Sequence, residues 1–171
     1  MNVVKLFLGL IFAVLVHLVG TRTIPDFASA VDVFLVAYTL FALSGNSLAG
    51  LLVGLAVGLL QDTLTGSLYG LHAIAGTIVG YSTARLAQHL VIQRVTGVVL
   101  VVSFASILQQ AVVALLSYGL MPEPALPAPV WVPVKALVCG ALGLLAYAAA
   151  AEWSRRFESR RRNRMDRIRL N

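Results

Sequence analysis

Three side chains in the middle of the chain could do chemistry together. Asp62, His72 and Arg85 would supply an acid, a base and a clamp for an anion. However, no spacing in the chain matches a known metal site or catalytic triad, and Asp62 and His72 are not separated by one helical turn. The sequence also contains no glycine-rich phosphate loop and no pair of close carboxylates. We therefore predict that the protein is not an enzyme and uses no metal or cofactor.

Glycines precede this acid at regular intervals. Gly50, Gly54 and Gly58 stand four positions apart, and Asp62 takes the next place in the series. This spacing puts small residues on one face of a helix, where a neighbouring span or a helix of a partner protein could approach closely. An acid at the centre of a membrane helix costs about 2.5–3.5 kcal/mol, so Asp62 is a candidate functional residue.

Composition places the elements that carry these residues in a membrane. The chain has 171 residues, of which 59% are hydrophobic and 12% charged, and its mean hydropathy is +0.88. A soluble domain of this size could not hide so much apolar surface. A membrane helix needs about 20 apolar residues, which leaves room for about six. We predict an all-α polytopic membrane helix bundle over residues 1–154 and a basic tail over residues 155–171.

The apolar segments define six spans and the turns between them. The spans cover residues 3–20, 28–43, 48–60, 68–90, 95–120 and 130–153. Asp32 stands near the start of the second span. The third span would be only about 20 Å long, so its helix either continues through Asp62 or ends short of the far surface. A turn at residues 44–47 and a proline-rich loop between the last two spans complete the pattern.

Positive charge is concentrated at the C-terminal end. From Arg155 onward there are eight arginines and two acidic residues, a net charge equal to the +6 of the whole chain. The positive-inside rule puts this end in the cytoplasm, and six spans bring the N-terminus to the same side. Because these arginines directly follow a membrane helix, we predict that they contact anionic lipid rather than nucleic acid. The residues predicted to contact lipid are Arg155, Arg156, Arg160, Arg161 and Arg162.

The segment LLQDTLTGSLYGLHA over residues 59–73 resembles the signature of the rod shape-determining protein MreD family. In that family, a helix with small residues ends in Leu-x-Asp, and a Gly-Ser turn leads to a Leu-Gly-x-His-Ala sequence that opens the next helix. The match requires Tyr69 to be an insertion-like variation. The family often has Pro-Asp directly before the second span, a place that either Asp26 or Asp32 could take here. The matching signature residues are Asp62, Gly66, Gly70 and His72.

The resemblance implies a non-enzymatic subunit of the bacterial cell-elongation (rod) complex in the inner membrane. MreD-like proteins are partners of MreC, which has one membrane helix, in a complex with MreB, the RodA glycosyltransferase and a penicillin-binding transpeptidase. They are also similar in fold to the S components of vitamin transporters. We therefore expect the glycine face to bind an MreC-like partner. Asp62 and His72 would fix the bend between the third and fourth spans or cap an adjacent helix.

An S-component-like subunit of a small-molecule transporter is the alternative. It would have the same number of helices and could use Asp62 and His72 to hold a polar solute. Against this function, the first span lacks the Ala-x-x-x-Ala face of vitamin S components, and few polar residues lie at membrane depth. The two residues could also be purely structural and satisfy backbone groups at a helix break.

Overall fold

The computed structural model is a bundle of α-helices. It describes residues 3–43, 46–66, 68–89, 95–120 and 129–169, with side chains from Leu6 to Gln88 outside the gaps and over 97–120 and 129–152. These residues form no strand, and the prediction of an all-α bundle of about six spans is confirmed. The helices are α1 Val3–Thr23, α2 Phe27–Ala30, α3 Val33–Ala42, α4 Ser47–Thr65, α5 Leu71–His89, α6 Val95–Leu120 and α7 Trp131–Arg169.

Four of these helices are long and apolar enough to cross a membrane. They are α1, α4, α6 and the part of α7 that ends at Glu152. The apolar stretch of α2 and α3 is shorter. α5 is as long as α4 but carries polar residues along its length, from His72 through Thr77 to Arg85. The protein is therefore a membrane protein in which two of the six predicted crossings are atypical.

The second predicted span is two helices rather than one. α2 ends at Ala30, and the backbone of Val31 is extended. The Asp32 side chain then accepts a hydrogen bond from the Leu35 N–H at 3.0 Å and so caps α3. The prediction of one apolar segment from residue 28 to 43 was wrong in this respect, because hydropathy alone does not register a helix cap inside an apolar run.

α3 is the central helix of the bundle. It contacts α1, α4, α5, α6 and α7, and seven of its ten residues are buried. Phe34, Leu35 and Tyr38 form the middle of the hydrophobic core. Because the other helices surround α3, it does not have to cover the thickness of the bilayer with its own length of about 15 Å.

Two helix boundaries differ from the predictions, and the end of α4 agrees with one of the two alternatives that the sequence left open. α4 continues to Thr65, so Asp62 lies inside its last turn. α5 begins at Leu71, because residues 68–70 belong to the turn before it. α7 continues to Arg169, so the predicted start of the tail at Arg155 is not a helix end. The predicted turn at residues 44–47 and the proline-rich loop lie partly outside the described residues.

Candidate functional site

α4 and α5 form an antiparallel hairpin in which the two backbones touch. A Cβ atom added to Gly50 would lie 2.6 Å from the carbonyl oxygen of Gly80, and one added to Gly54 would overlap the carbonyl of Gly76. The same overlaps occur from the α5 side. Only glycine allows this approach, because any side chain would push the helices apart.

The glycine face of α4 is therefore filled by the next helix of the same chain. Gly58 completes the contact, because it lies against the backbone of His72 and Ala73. Of the two occupants that the spacing allowed, the structure places the neighbouring span there. The expectation that Gly50, Gly54 and Gly58 receive a partner helix is corrected, since this face offers no free surface.

The Asp62 carboxylate closes the turn end of the hairpin. It is fully buried. Its Oδ1 accepts a hydrogen bond from the backbone N–H of His72 at 3.0 Å, and its Oδ2 accepts from Gly70 at 2.9 Å and Ala73 at 3.3 Å. The first N–H groups of a helix have no partner within it, and its dipole favours a negative charge there. Asp62 therefore caps α5 from within α4.

The His72 ring makes a further contact with the same carboxylate. Its Nδ1 lies 2.8 Å from Asp62 Oδ1. This distance is that of a hydrogen bond between the ring and the carboxylate. Arg85 is exposed and lies 13 positions along α5, about 20 Å away at 1.5 Å per residue. The structure brings Asp62 and His72 together for capping but does not assemble the acid, base and clamp considered above.

Two signature glycines shape the turn between α4 and α5. Gly66 ends α4 with φ of 65°, and Gly70 precedes α5 with φ of 97°. Left-handed backbone of this kind favours glycine, which has no Cβ atom. The two glycines allow the chain to reverse direction within five residues and bring His72 to Asp62.

A second polar site, which sequence reasoning missed, lies beside the hairpin. Asp32 Oδ2 accepts hydrogen bonds from Gln61 Nε2 at 3.0 Å and Gln109 Nε2 at 2.9 Å, and Lys135 Nζ lies 3.5 Å from the same oxygen. We call these four residues the Asp32 cluster. Asp32, Gln61 and Gln109 are buried. The cluster joins α4, α6 and α7 to the start of α3 inside an apolar bundle.

Two further side chains complete the surroundings of the Asp32 cluster. The Tyr38 hydroxyl donates to Gln109 Oε1 at 2.7 Å and so fixes the orientation of that amide. The backbone N–H of Asp32, which lies between α2 and α3, donates to Cys139 Sγ at 3.4 Å. Polar backbone groups at a helix break inside a membrane need such partners.

The sequence contained a signal for this cluster. Asp32 and Lys135 are opposite charges that lie in two predicted spans. Gln61 and Gln109 lie 29 and 77 positions from Asp32, so no local pattern connects them. We expected few polar residues at membrane depth. Those that are present converge on one carboxylate, that of Asp32.

Gln61 and Asp62 connect the two polar sites. Consecutive residues on a helix point about 100° apart, so Gln61 can face Asp32 while Asp62 faces the start of α5. One turn of α4 therefore contributes to both sites, and the hairpin end is tied to the centre of the bundle.

Comparison with known proteins agrees with the hairpin signature. The model of the family described as rod shape-determining protein MreD matches residues 2–122, well over half of the chain. The chain belongs to the MreD family. It is thus a rod shape-determining membrane protein, and the match includes Asp32, Gln61, Asp62, His72 and Gln109 but not α7.

The predictions that these comparisons do not test include the likeness to transporter S components and the lipid contacts. No curated protein and no solved structure shows significant similarity to the chain, so the likeness to transporter S components stays a prediction. The lipid contacts also stay predictions, because the arginines chosen for them lie in the part of α7 whose side chains are outside the described residues. These are Arg155, Arg156, Arg160, Arg161 and Arg162.

Proposed function

We propose that this protein is a non-enzymatic subunit of the bacterial cell-elongation machinery, in which it binds an MreC-like membrane protein and supports lateral peptidoglycan synthesis. Through that partner it would join MreB, RodA and a penicillin-binding transpeptidase. The family match carries the proposal. The use of the signature residues supports it, because Asp62 and His72 hold two helices together, as expected of a scaffold.

The proposed partner would bind to the lipid-facing surface of the bundle. The face between α4 and α5 is filled, whereas large apolar side chains are exposed on several helices, and two groups of them lie outside the α4–α5 hairpin. The α1 group contains Phe7, Leu8, Ile11, Phe12 and Leu15, and the α6–α7 group contains Leu100, Phe104, Leu115, Leu137 and Leu145. A single membrane helix of the partner could pack against either group through dispersion contacts.

Copurification with an MreC-like protein tests the proposal. Phe12→Ala with Leu15→Ala changes the α1 group, and Leu115→Ala with Leu137→Ala is the matched change in the other group. We expect one pair to lower the partner's affinity about fivefold or more, the effect of losing ~1 kcal/mol, while the other pair has no effect. Failure of the wild-type protein to recover the partner from intact membranes would contradict the proposal.

The geometry of the Asp32 cluster weighs against the transporter alternative. Asp32 Oδ1 accepts from Leu35 N–H, and Oδ2 accepts from two glutamine amides beside the Lys135 ammonium. The donors of the chain itself thus occupy the carboxylate that a polar solute would need. A metabolite that copurifies and is released only when the protein is denatured would favour the transporter function instead.

We place both termini in the cytoplasm of a bacterium and the protein in its inner membrane. If α2 and α3 together count as one crossing, the helices α1 to α7 cross six times, and the arginine-rich end of α7 lies on the cytoplasmic side. Reporter fusions after residue 171 and within the loop between α6 and α7 test this orientation. A C-terminal reporter that is active only outside the cytoplasm would contradict it.

A further inference from the structure

The last part of α7 is a helix that extends beyond the apolar bundle. The apolar stretch of α7 runs from Trp131 to Glu152, and the helix continues without interruption to Arg169. The family match ends at residue 122. It therefore assigns no role to residues 153–169, which form the extension.

The continuity of α7 determines where this extension lies. At 1.5 Å per residue, Arg164 and Arg167 lie about 18 and 22 Å beyond Glu152 along the helix axis. An average tilt of about 20° shortens these distances by less than about a tenth. The headgroup layer is only about 5–8 Å thick, and the Debye length is about 8 Å. The far end of the extension is therefore out of reach of the lipids around the bundle.

Half of the arginines in the extension share one face of the helix. Successive residues are about 100° apart, so spacings of four, four and three positions keep these arginines within a band of about 80°. Glu158 and Asp166 lie at least about 80° outside this band. We call the band the arginine stripe, and its residues are Arg156, Arg160, Arg164 and Arg167.

The opposite face of the extension alternates in charge. Arginine and acid follow each other there at spacings of three and four, a pattern that stabilises a helix in water. This mixed face contains three arginines and two acids, so the positive charge of the extension is concentrated on the arginine stripe. The residues of the mixed face are Arg155, Glu158, Arg162, Asp166 and Arg169.

Apolar residues border the arginine stripe on one side. Trp153 lies within the band, and Phe157 and Ile168 lie within about 40° of its edge. An amphipathic helix with acidic positions beside its apolar seam is complementary to this surface in both charge and polarity. A bilayer surface could also accept a basic amphipathic helix, but the helix would have to lie in the plane of the interface. The uninterrupted course of α7 does not allow this.

We propose that the arginine stripe and its apolar border bind an acidic amphipathic helix of another protein, on the side of the membrane where α7 ends. The orientation proposed above makes that side the cytoplasm, but the binding surface itself does not depend on it. α7 would thus hold the bound protein at a fixed distance from the bilayer, about 6–22 Å beyond Glu152.

Binding of a synthetic acidic helix measures the properties of this surface. The probe is a fluorescent peptide with leucine at heptad positions a and d and glutamate at e and g. Its binding to the full-length protein in zwitterionic nanodiscs is followed by anisotropy. The stripe variant replaces the four arginines of the stripe by glutamine. The matched control replaces the other four arginines of the extension, which are Arg155, Arg161, Arg162 and Arg169.

The two variants have the same net charge, and glutamine is a good helix former. We expect the stripe variant to bind the peptide at least about tenfold more weakly and the control less than about threefold. Equal losses would show that only the net charge matters and would overturn the proposal, as would wild-type binding by the stripe variant. An oligothymidylate that binds the wild-type protein more tightly than the peptide would assign the surface to nucleic acid and would also overturn it.

A nitroxide label tests the direction of the extension independently. It is attached to Met165→Cys in a Cys139→Ser background, which removes the single native cysteine, and the protein is held in nanodiscs that contain anionic lipid. We expect relaxation by a water-soluble nickel chelate. Relaxation by oxygen, which concentrates in lipid, would place the end of α7 on the bilayer and overturn the proposal.

Photo-cross-linking in cells tests for a natural partner. A benzophenone amino acid at Phe157, beside the arginine stripe, should form an adduct that the stripe variant loses and the control retains. The same group at Glu158, on the mixed face, should form none. The cross-linked peptide should carry a net negative charge. The absence of an adduct at position 157, or an adduct to a basic peptide, would contradict the proposal.

Discussion

At the scale of single residues, the protein holds two buried carboxylates in two different ways. Asp62 is surrounded by backbone N–H groups of one helix end and by a histidine ring. Asp32 is surrounded by amide side chains and an ammonium group from three other helices. Buried charges are tolerated only with such complete sets of partners. Removal of one member of either set should therefore lower the stability of the protein, because the remaining members would lose a buried partner.

Asp62→Ala should lower the free energy of unfolding by about 3 kcal/mol, because it leaves three backbone donors at the start of α5 without this acceptor. Asp62→Asn keeps one carbonyl oxygen and should lose about half as much. SDS titration of the purified protein in mixed micelles measures both values. Asp26→Asn is the matched control, since Asp26 is exposed and makes no side-chain cap hydrogen bond. Equal stability of the Asp62→Ala and wild-type proteins would contradict the capping role.

Gln109→Met should lower the free energy of unfolding by about 2 kcal/mol, because the Tyr38 hydroxyl and the Asp32 carboxylate each lose a buried partner. Gln110→Met is a control at the next position. Gln110 is only partly buried, and its contacts with the carbonyls of Ser106 and Val132 are both 3.4 Å long, so we expect less than about 1 kcal/mol for it. Thermal unfolding of both variants in the same detergent tests the difference, and equal losses would contradict the importance of the cluster.

At the scale of elements, the α4–α5 hairpin is the most closely packed unit of the bundle. Glycines on both helices face each other's carbonyl groups, and the Asp62 cap joins the helices at the turn end. The low hydropathy of α5 becomes understandable in this arrangement, because α4, α3 and α6 cover much of its surface. A side chain added along the glycine contact should therefore destabilise the hairpin.

Gly54→Ala should lower the free energy of unfolding by about 1–3 kcal/mol, because the new methyl group overlaps the Gly76 carbonyl and the backbone has to move. Gly9→Ala is the matched control, since a Cβ atom at Gly9 would meet nothing within 4 Å. It should be neutral or slightly stabilising, because alanine favours helix over glycine. SDS titration measures both variants. A Gly54→Ala protein as stable as Gly9→Ala would contradict the close contact.

At the scale of the whole molecule, α7 connects the bundle to the arginine-rich segment. The helix begins at Trp131 and ends at Arg169, which corresponds to about 58 Å, roughly twice the thickness of the hydrocarbon core. From Arg155 to Arg169 it carries eight arginines and two acidic residues. Such a segment next to a membrane should bind anionic headgroups through its net charge.

Replacing Arg160, Arg161 and Arg162 by glutamine should weaken binding of the protein, held in zwitterionic nanodiscs, to phosphatidylserine vesicles. At about 1 kcal/mol per basic residue, the affinity should fall about 100-fold. Arg22→Gln is the control. Arg22 lies in the last turn of α1, which the predicted topology puts on the other side of the membrane from the C-terminal arginines. Unchanged binding at low salt would show that these three arginines do not contact lipid.

The sequence by itself determined the class, the family and the turn signature of this protein. Hydrophobic composition and span length predict an all-α membrane bundle. In lipid, the hydrogen bonds of the backbone can be satisfied only within helices or within a closed β-barrel. The residues that carry the family resemblance are local in sequence, from Asp62 to His72. Their spacing was therefore visible without a structure, as was the regular spacing of the glycines before them.

Only the tertiary structure decided what those residues contact. The four-residue spacing of Gly50, Gly54 and Gly58 fits any helix, and the structure places α5 there. The Asp32 cluster assembles side chains from distant parts of the chain, and the break between α2 and α3 depends on a cap inside an apolar run. The physical reason is that hydropathy and periodicity describe which residues leave water, whereas the partner of each buried polar group is fixed only when the helices pack.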